Sequence, residues 1–145
     1  MHTASLRSAI GLVLCALLAG CGSPAAKFSG IVLVNGQPYH LDPSETFSLS
    51  FSYEVEPSYR RSSPAIVNPD GTFTVEMPDG KGFRLGKYQI TATSTKYGPG
   101  IKSAERRDKF RKAFADPVKT PLTAEITPQT TEVLIDLGKK TVTAH

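Results

Sequence analysis

The chain has 145 residues, 39% of them apolar and 21% charged, with 12 Gly, 11 Pro and no Trp. That length holds one domain with a self-sufficient core, and the composition excludes a disordered or low-complexity chain. A formal charge of +4 falls short of the concentrated Lys/Arg footprint of a nucleic-acid-binding protein, so nucleic acid is excluded as a partner.

Residues 1–8 carry Arg7 and no acid, Ala9 to Leu18 is apolar or small throughout, and Leu18-Ala19-Gly20 brings small residues up to a cysteine. Residues 1–20 therefore read as a signal peptide. The apolar run covers ten residues, half of the about 20 that a helix needs to span a bilayer, so no permanent transmembrane anchor is expected. Leu18-Ala19-Gly20-Cys21 resembles the lipobox of bacterial lipoproteins. The resemblance implies cleavage before Cys21, a diacylglyceryl group on its thiol and often a further acyl chain on its amine. Cys21 is then the lipid-attachment residue, and the membrane is the partner it reaches. Two or three chains, at about 0.8 kcal/mol per buried methylene, give a durable anchor. Gly22 stands where Asp would signal inner-membrane retention, so the same resemblance favours the outer membrane. The alternative is an ordinary secretory signal followed by a chance cysteine. Cys15 leaves with the leader, so Cys21 becomes the sole cysteine and no internal disulfide forms. Loss of Arg7 leaves 16 Lys and Arg against 13 Asp and Glu, a net +3.

Residues 21–27 are small and polar and read as a short flexible tether. Phe28 to Val34 suits a strand covered on both faces, Asn35-Gly36 is a hairpin turn, and Tyr39 to Leu41 is the short return strand. Thr46 to Tyr53 alternates Phe47, Leu49, Phe51 and Tyr53 with Ser48, Ser50 and Ser52, the pattern of a half-buried strand. Glu54 to Ser63 reads as a solvated loop. Pro64 to Val67 is a short strand, Asn68-Pro69-Asp70-Gly71 a turn, and Phe73, Val75 and Met77 alternate after it. A second turn, Pro78 to Gly82, precedes the alternating Tyr88, Ile90 and Ala92.

The interval from Tyr97 to Pro121 breaks the rhythm, and one short helix is expected over residues 104–114, capped by Ser103. Glu105/Lys109 and Asp108/Lys112 stand at i, i+4, and Phe110, Ala113 and Phe114 form its apolar patch. Leu122 to Thr127 and Glu132 to Leu137 read as a closing hairpin, with Val133, Ile135 and Leu137 buried. Residues 139–145 read as a polar tail that frays. Short strands at this spacing, with turn signals between them, describe an all-β fold: a seven-to-eight-stranded antiparallel sandwich over residues 28–138.

Chemistry-bearing groups are sparse. The mature chain keeps His40 and His145 as its imidazoles, so a catalytic triad would rest on His40 alone. No nucleophile elbow, phosphate loop or HExxH pattern is present. No catalytic, cofactor-binding or metal-ligating set is assigned, and no cofactor is expected. Asp70 and Asp79 read as turn residues, with calcium at either left open. Glu54 and Glu56 would point the same way on an extended strand and read as solvated acids. Arg106, Arg107, Lys109, Arg111 and Lys112 read as a solvated helix face, or, more sharply, as a contact for anionic head groups or acidic polysaccharide. Tyr53, Tyr59, Arg60 and Arg61 are the candidate ligand contacts on loops at one end of the sandwich.

The stretches Phe28-Ser-Gly-Ile-Val-Leu-Val-Asn-Gly-Gln-Pro, Pro69-Asp-Gly-Thr-Phe-Thr-Val and Gly86-Lys-Tyr-Gln-Ile-Thr-Ala resemble the carboxypeptidase-regulatory-like, transthyretin-like β-sandwich group. Small lipoproteins of the planctomycete type also carry a segment similar to Asp116-Pro-Val-Lys-Thr-Pro-Leu-Thr-Ala-Glu-Ile. The resemblance spans most of residues 27–137 and implies an Ig-like or transthyretin-like sandwich. The chain lacks the Tyr-Arg-Gly-Ser ending and the histidines of the hydroxyisourate hydrolases that share that fold, which counts against ureide hydrolysis. The expected protein is exported, lipid-anchored and non-enzymatic, with a structural or binding role at the cell envelope. The alternative is a module that binds carbohydrate or a polyanion, its partner an envelope polysaccharide or protein; a hydrolase ranks third.

Overall fold

The computed structural model describes residues 27–75, 83–103 and 106–145. Two long alternating strands, β3 (Glu45–Glu56) and β6 (Gly86–Lys96), pair antiparallel from Glu45↔Lys96 to Ser52↔Gln89 and form the wall on which the rest is built. Around them stand β1 (Phe28–Val34), β2 (Gln37–Pro38), β4 (Tyr59–Val67), β5 (Thr72–Val75), β7 (Thr123–Ile126), β8 (Glu132–Asp136) and β9 (Thr141–Ala144). The sheet runs β7-β6-β3-β4-β5-β1-β8-β9, with β2 beside β1, and it curls until β7 lies against β9.

The fold is all-β, as the alternation requires. The sheet is mixed, because β1 and β8 pair in parallel, Ser29↔Glu132 to Leu33↔Asp136, and the approach of its end strands β7 and β9 nearly closes it into a barrel. Leu49, Phe51, Tyr88 and Ile90 point inward from the wall and meet Phe73, Val75, Val133 and Ile135 from the other side. The pair β1–β8 comes close because Gly30 sits between them. A Cβ there would overlap the Val133 carbonyl oxygen and the Phe73 ring.

Five further expectations change. The short return strand after Asn35-Gly36 is Gln37–Pro38, and Tyr39 to Leu41, expected as that strand, lies outside every strand. The segment expected as a helix over 104–114 is not one; Ala104 and Glu105 lie outside the described residues, and 106–114 is a series of turns. Its polar groups bond both to the edge of β6 and within short turns of their own, such as Arg111 N–H to the Asp108 carbonyl (2.9 Å) and Ala113 N–H to the Phe110 carbonyl (2.9 Å). Lys109 N–H donates to the Ser94 carbonyl (2.7 Å), Ala92 N–H to the Phe114 carbonyl (3.0 Å), and the Asp108 carboxylate accepts from Ser94 N–H (2.8 Å) and Lys112 N–H (2.6 Å). Arg111 and Lys112 adopt φ of 52° and 63°, which no α-helix accommodates. The Asp108/Lys112 pair meets carboxylate to backbone, not carboxylate to ammonium.

The span Glu54 to Ser63, expected as a loop, is instead the tip of a long hairpin. β3 continues to Glu56, a bulge falls between Glu54 and Glu56, Pro57-Ser58 turns, and β4 starts at Tyr59. The closing hairpin of β7 and β8 does not form: β7 pairs β6, while β8 pairs β1 and β9. Residues 139–145 do not fray. Thr141–Ala144 is β9, and His145 exchanges backbone bonds with Glu132.

The register also fixes which features share an end. Ala65, Val75 and Phe28 stand side by side on β4, β5 and β1. β1 and β4 run the same way, so the Pro57-Ser58 tip projects past the start of β1. The Asn35-Gly36 turn, the Asn68–Gly71 turn, the start of β3 and Tyr97 gather at the opposite end. The segment from Tyr97 to Pro121 straps the upper half of β6. Its Phe110 and Phe114 stack with one another (5.8 Å), and Phe110 also reaches Phe47 and Tyr39 (6.1 Å each).

Candidate functional site

Cys21, the residue to which sequence assigns lipid attachment, lies outside the described residues, as does Asp79. Lys27, the first described residue, precedes β1 at the end from which the long hairpin projects. Among the described residues no helix is long and apolar enough to cross a membrane.

The four candidate ligand contacts fall together at that hairpin, with unequal availability. Tyr53 ends the inward phase of β3 and is 9% exposed, so its ring is core; it stacks edge-on against Tyr88 at 5.4 Å. Burial and the nearby Tyr53 push the Tyr88 hydroxyl to about 12, and that hydroxyl donates to the Arg84 carbonyl at 2.8 Å. Arg60 is committed: it bonds to the Glu54 carboxylate (2.9 Å) and the Gln89 amide oxygen (3.0 Å). Tyr59, half exposed, and Arg61, also exposed, have faces open to a partner. Arg61 is the cross-strand neighbour of Tyr53, and hydrogen bonds to Tyr59 and Tyr53 hold its guanidinium protonated even more firmly than usual.

Sequence reasoning did not select Arg84 and Leu85, which complete this end. The Arg84 guanidinium lies 5.7 Å from the centre of the Tyr53 ring, and Leu85 is exposed beside it. Glu54 and Glu56 do not form a paired-carboxylate site, because the bulge separates them and Glu54 is closed by Arg60.

A second polar cluster lies at the opposite end. The Glu45 carboxylate, 1% exposed, accepts from the hydroxyls of Tyr39 and Ser94 through Oε1 and from Asp42 N–H through Oε2 (3.2 Å), with Lys109 Nζ at 3.5 Å. Lys109 also donates to Tyr39 Oη at 3.0 Å and lies over its ring. Burial alone pushes the Glu45 carboxyl up, and the bonds from Ser94, Tyr39 and Asp42 with the Lys109 charge reverse this and leave it lowered. A signal for this cluster exists in the sequence: Glu45 and Ser94 both occupy the inward phase of apolar strands. Of the basic cluster on the strap, Lys109 alone enters it; Arg106, Arg107, Arg111 and Lys112 are exposed.

Ser94 is thus a buried, bonded hydroxyl rather than a reachable nucleophile. His40 is exposed and outside every strand. The Asp70 carboxylate accepts from Thr72 N–H (3.0 Å) and Thr72 Oγ1 (2.6 Å), the bonding of a turn. Among the described residues no three His, Cys, Asp or Glu converge, and no buried side-chain polar atom lacks a partner. No family model, no curated protein and no solved structure matches the chain.

Proposed function

We propose that the protein is a lipid-anchored, non-enzymatic β-barrel module of the bacterial cell envelope, exported and held, with the outer membrane favoured, by acylated Cys21. The observation that carries this reading is Leu18-Ala19-Gly20-Cys21 at the close of a ten-residue apolar run, followed by a tether to Lys27 and then directly by β1. The tether's exit at one end of the barrel suits an anchored module.

The non-enzymatic part of the proposal draws on how the reactive-looking groups are used. Glu45, Tyr39, Ser94 and Lys109 satisfy one another at the foot of the strap, a structural use of all four. The kinship with transthyretin-like sandwiches stays within this proposal. Its support is local: Asn35-Gly36 and Pro69-Asp70, which carry the resemblance, both stand in turns. The alternative module that binds carbohydrate or a polyanion draws on fewer groups than expected, since Tyr53 is core and Arg60 is paired; Tyr59 and Arg61 remain for it. The test of the anchor is the mass of the mature N-terminus, together with the loss of membrane fractionation when Cys21→Ala is introduced.

A further inference from the structure

The end of the barrel that releases the tether is also the end that exposes apolar and cationic groups together. Val55 (38%), Tyr59 (50%) and Leu85 (45%) are exposed there, around the guanidiniums of Arg61 and Arg84. Among the described residues neither arginine has a carboxylate partner within salt-bridge distance, whereas Arg60 has Glu54. Of the two acids described on the tip itself, Glu54 is already paired with Arg60 and Glu56 is exposed. Tyrosine, leucine and arginine in this combination match a membrane interface, where rings and alkyl groups enter the head-group layer and guanidiniums take phosphates.

The lengths agree. Phe28 is level with Ala65, and Tyr59 lies six residues before Ala65 on a strand that runs the same way as β1. At about 3.3 Å per residue the tip projects about 20 Å beyond the start of β1. Cys21 precedes Phe28 by seven residues, which fully extended reach about 24 Å. A cysteine held at the bilayer surface by its acyl chains therefore leaves the hairpin tip within reach of that same surface. The strap and its arginines lie away from this end, so they do not share the contact.

We propose that Val55, Tyr59, Arg61, Arg84 and Leu85 form a membrane-resting face that docks on anionic phospholipid, so that the barrel stands on its hairpin rather than swinging on its tether. The proposal builds on the anchored reading but is separable from it.

The chain has no tryptophan, so Tyr59→Trp places a single fluorescent reporter on the tip and, in a second protein, Tyr97→Trp places one at an exposed tyrosine of the far end. The full chain purified from membranes is reconstituted in vesicles of phosphatidylethanolamine with phosphatidylglycerol, containing lipids brominated on their acyl chains. Expected are a blue-shifted, quenched tip reporter and an unquenched far-end reporter. Arg61→Glu with Arg84→Glu should abolish the quenching at the tip, each replacement weakening the docked state by at least about fivefold. The mass of Cys21 is read on the same sample. Acylated Cys21 with an unquenched tip reporter overturns the docking face and leaves the anchor standing. An unmodified Cys21 with the tip reporter still quenched overturns the anchor and leaves the face standing. Quenching of the far-end reporter instead, or release of the tip from the vesicles by a soluble acidic polysaccharide at equal charge, overturns the docking face.

Discussion

Glu45 and Ser94 meet carboxylate to hydroxyl across 49 positions of sequence, each from the inward phase of its own strand. The contact ties the first residue of β3 to the third-last residue of β6, at the point where the strap's Lys109 and Asp108 also bind. One buried carboxylate thus couples the barrel wall to a segment whose described residues form turns rather than a helix or strand.

Removing either partner leaves the other short of a bond in a site closed to water. Ser94→Ala and Glu45→Gln are each expected to lower unfolding free energy by about 1–3 kcal/mol in urea or guanidinium titration. Amide exchange should rise first at Ala92 and Lys109, whose N–H groups cross between β6 and the strap. Unchanged stability in both variants would separate the cluster from the fold.

Acid should weaken the same lock. Glu45 is lowered from 4.5 and Asp136 from 3.8, the latter because N–H donors of Lys139, Gly36 and Asn35 outweigh its burial. A lowered carboxyl binds its proton more weakly folded than unfolded, so the stability it contributes is present above the unfolded value and lost as pH falls through the folded one. The melting temperature should therefore decline below about pH 4.5, and Glu45→Gln should flatten part of that slope. A slope identical in wild type and variant would contradict the assignment.

Among the described glycines, Gly30, between the parallel strands β1 and β8, is the one where an added Cβ would meet its neighbours most closely. Gly30→Ala should cost about 3 kcal/mol or more, since both the carbonyl of Val133 and the ring of Phe73 must move. A near-neutral result in thermal unfolding would argue against the β1–β8 register.

The turns that replace a helix on the strap are tested at Lys112. In a helix, Lys112→Gly would cost about 1 kcal/mol and Lys112→Val a few tenths. At a φ of 63° the order reverses: Gly should be neutral or stabilising and Val should cost about 1–2 kcal/mol.

Much of the wall was legible because alternation is a local signal: Phe47 to Tyr53 and Tyr88 to Ala92 declare their inward faces without reference to any partner. Asn35-Gly36 was legible for the same reason, and the structure adds that Asp136 clamps it by accepting from both turn amides at 2.9 and 2.7 Å. The Pro57-Ser58 tip was missed because its strands are charged on both sides of a turn lacking the usual Asn-Gly or Asp-Gly. The strap was misread because Asp108 offers equal local support to a helix and to the open edge of β6, and the edge supplies the unpaired N–H of Ser94. β9 was missed because Thr141 to Ala144 carries little apolar signal; β8 supplies its partner, and β8 is itself placed by a parallel pairing with the first strand of the fold that no local pattern announces. Of the four contacts assigned to the ligand end, the fold brings all together but spends Tyr53 on the core and Arg60 on Glu54.

The claim on which the functional reading rests is the acylated cysteine. Intact-mass and fragment-ion spectrometry of the protein purified from membranes tests it most directly. The account predicts a chain that begins at Cys21 and carries diacylglyceryl on the thiol. A mature chain that retains residues 1–20, or that begins at or after Cys21 without acyl mass and fractionates as a soluble protein, would contradict it.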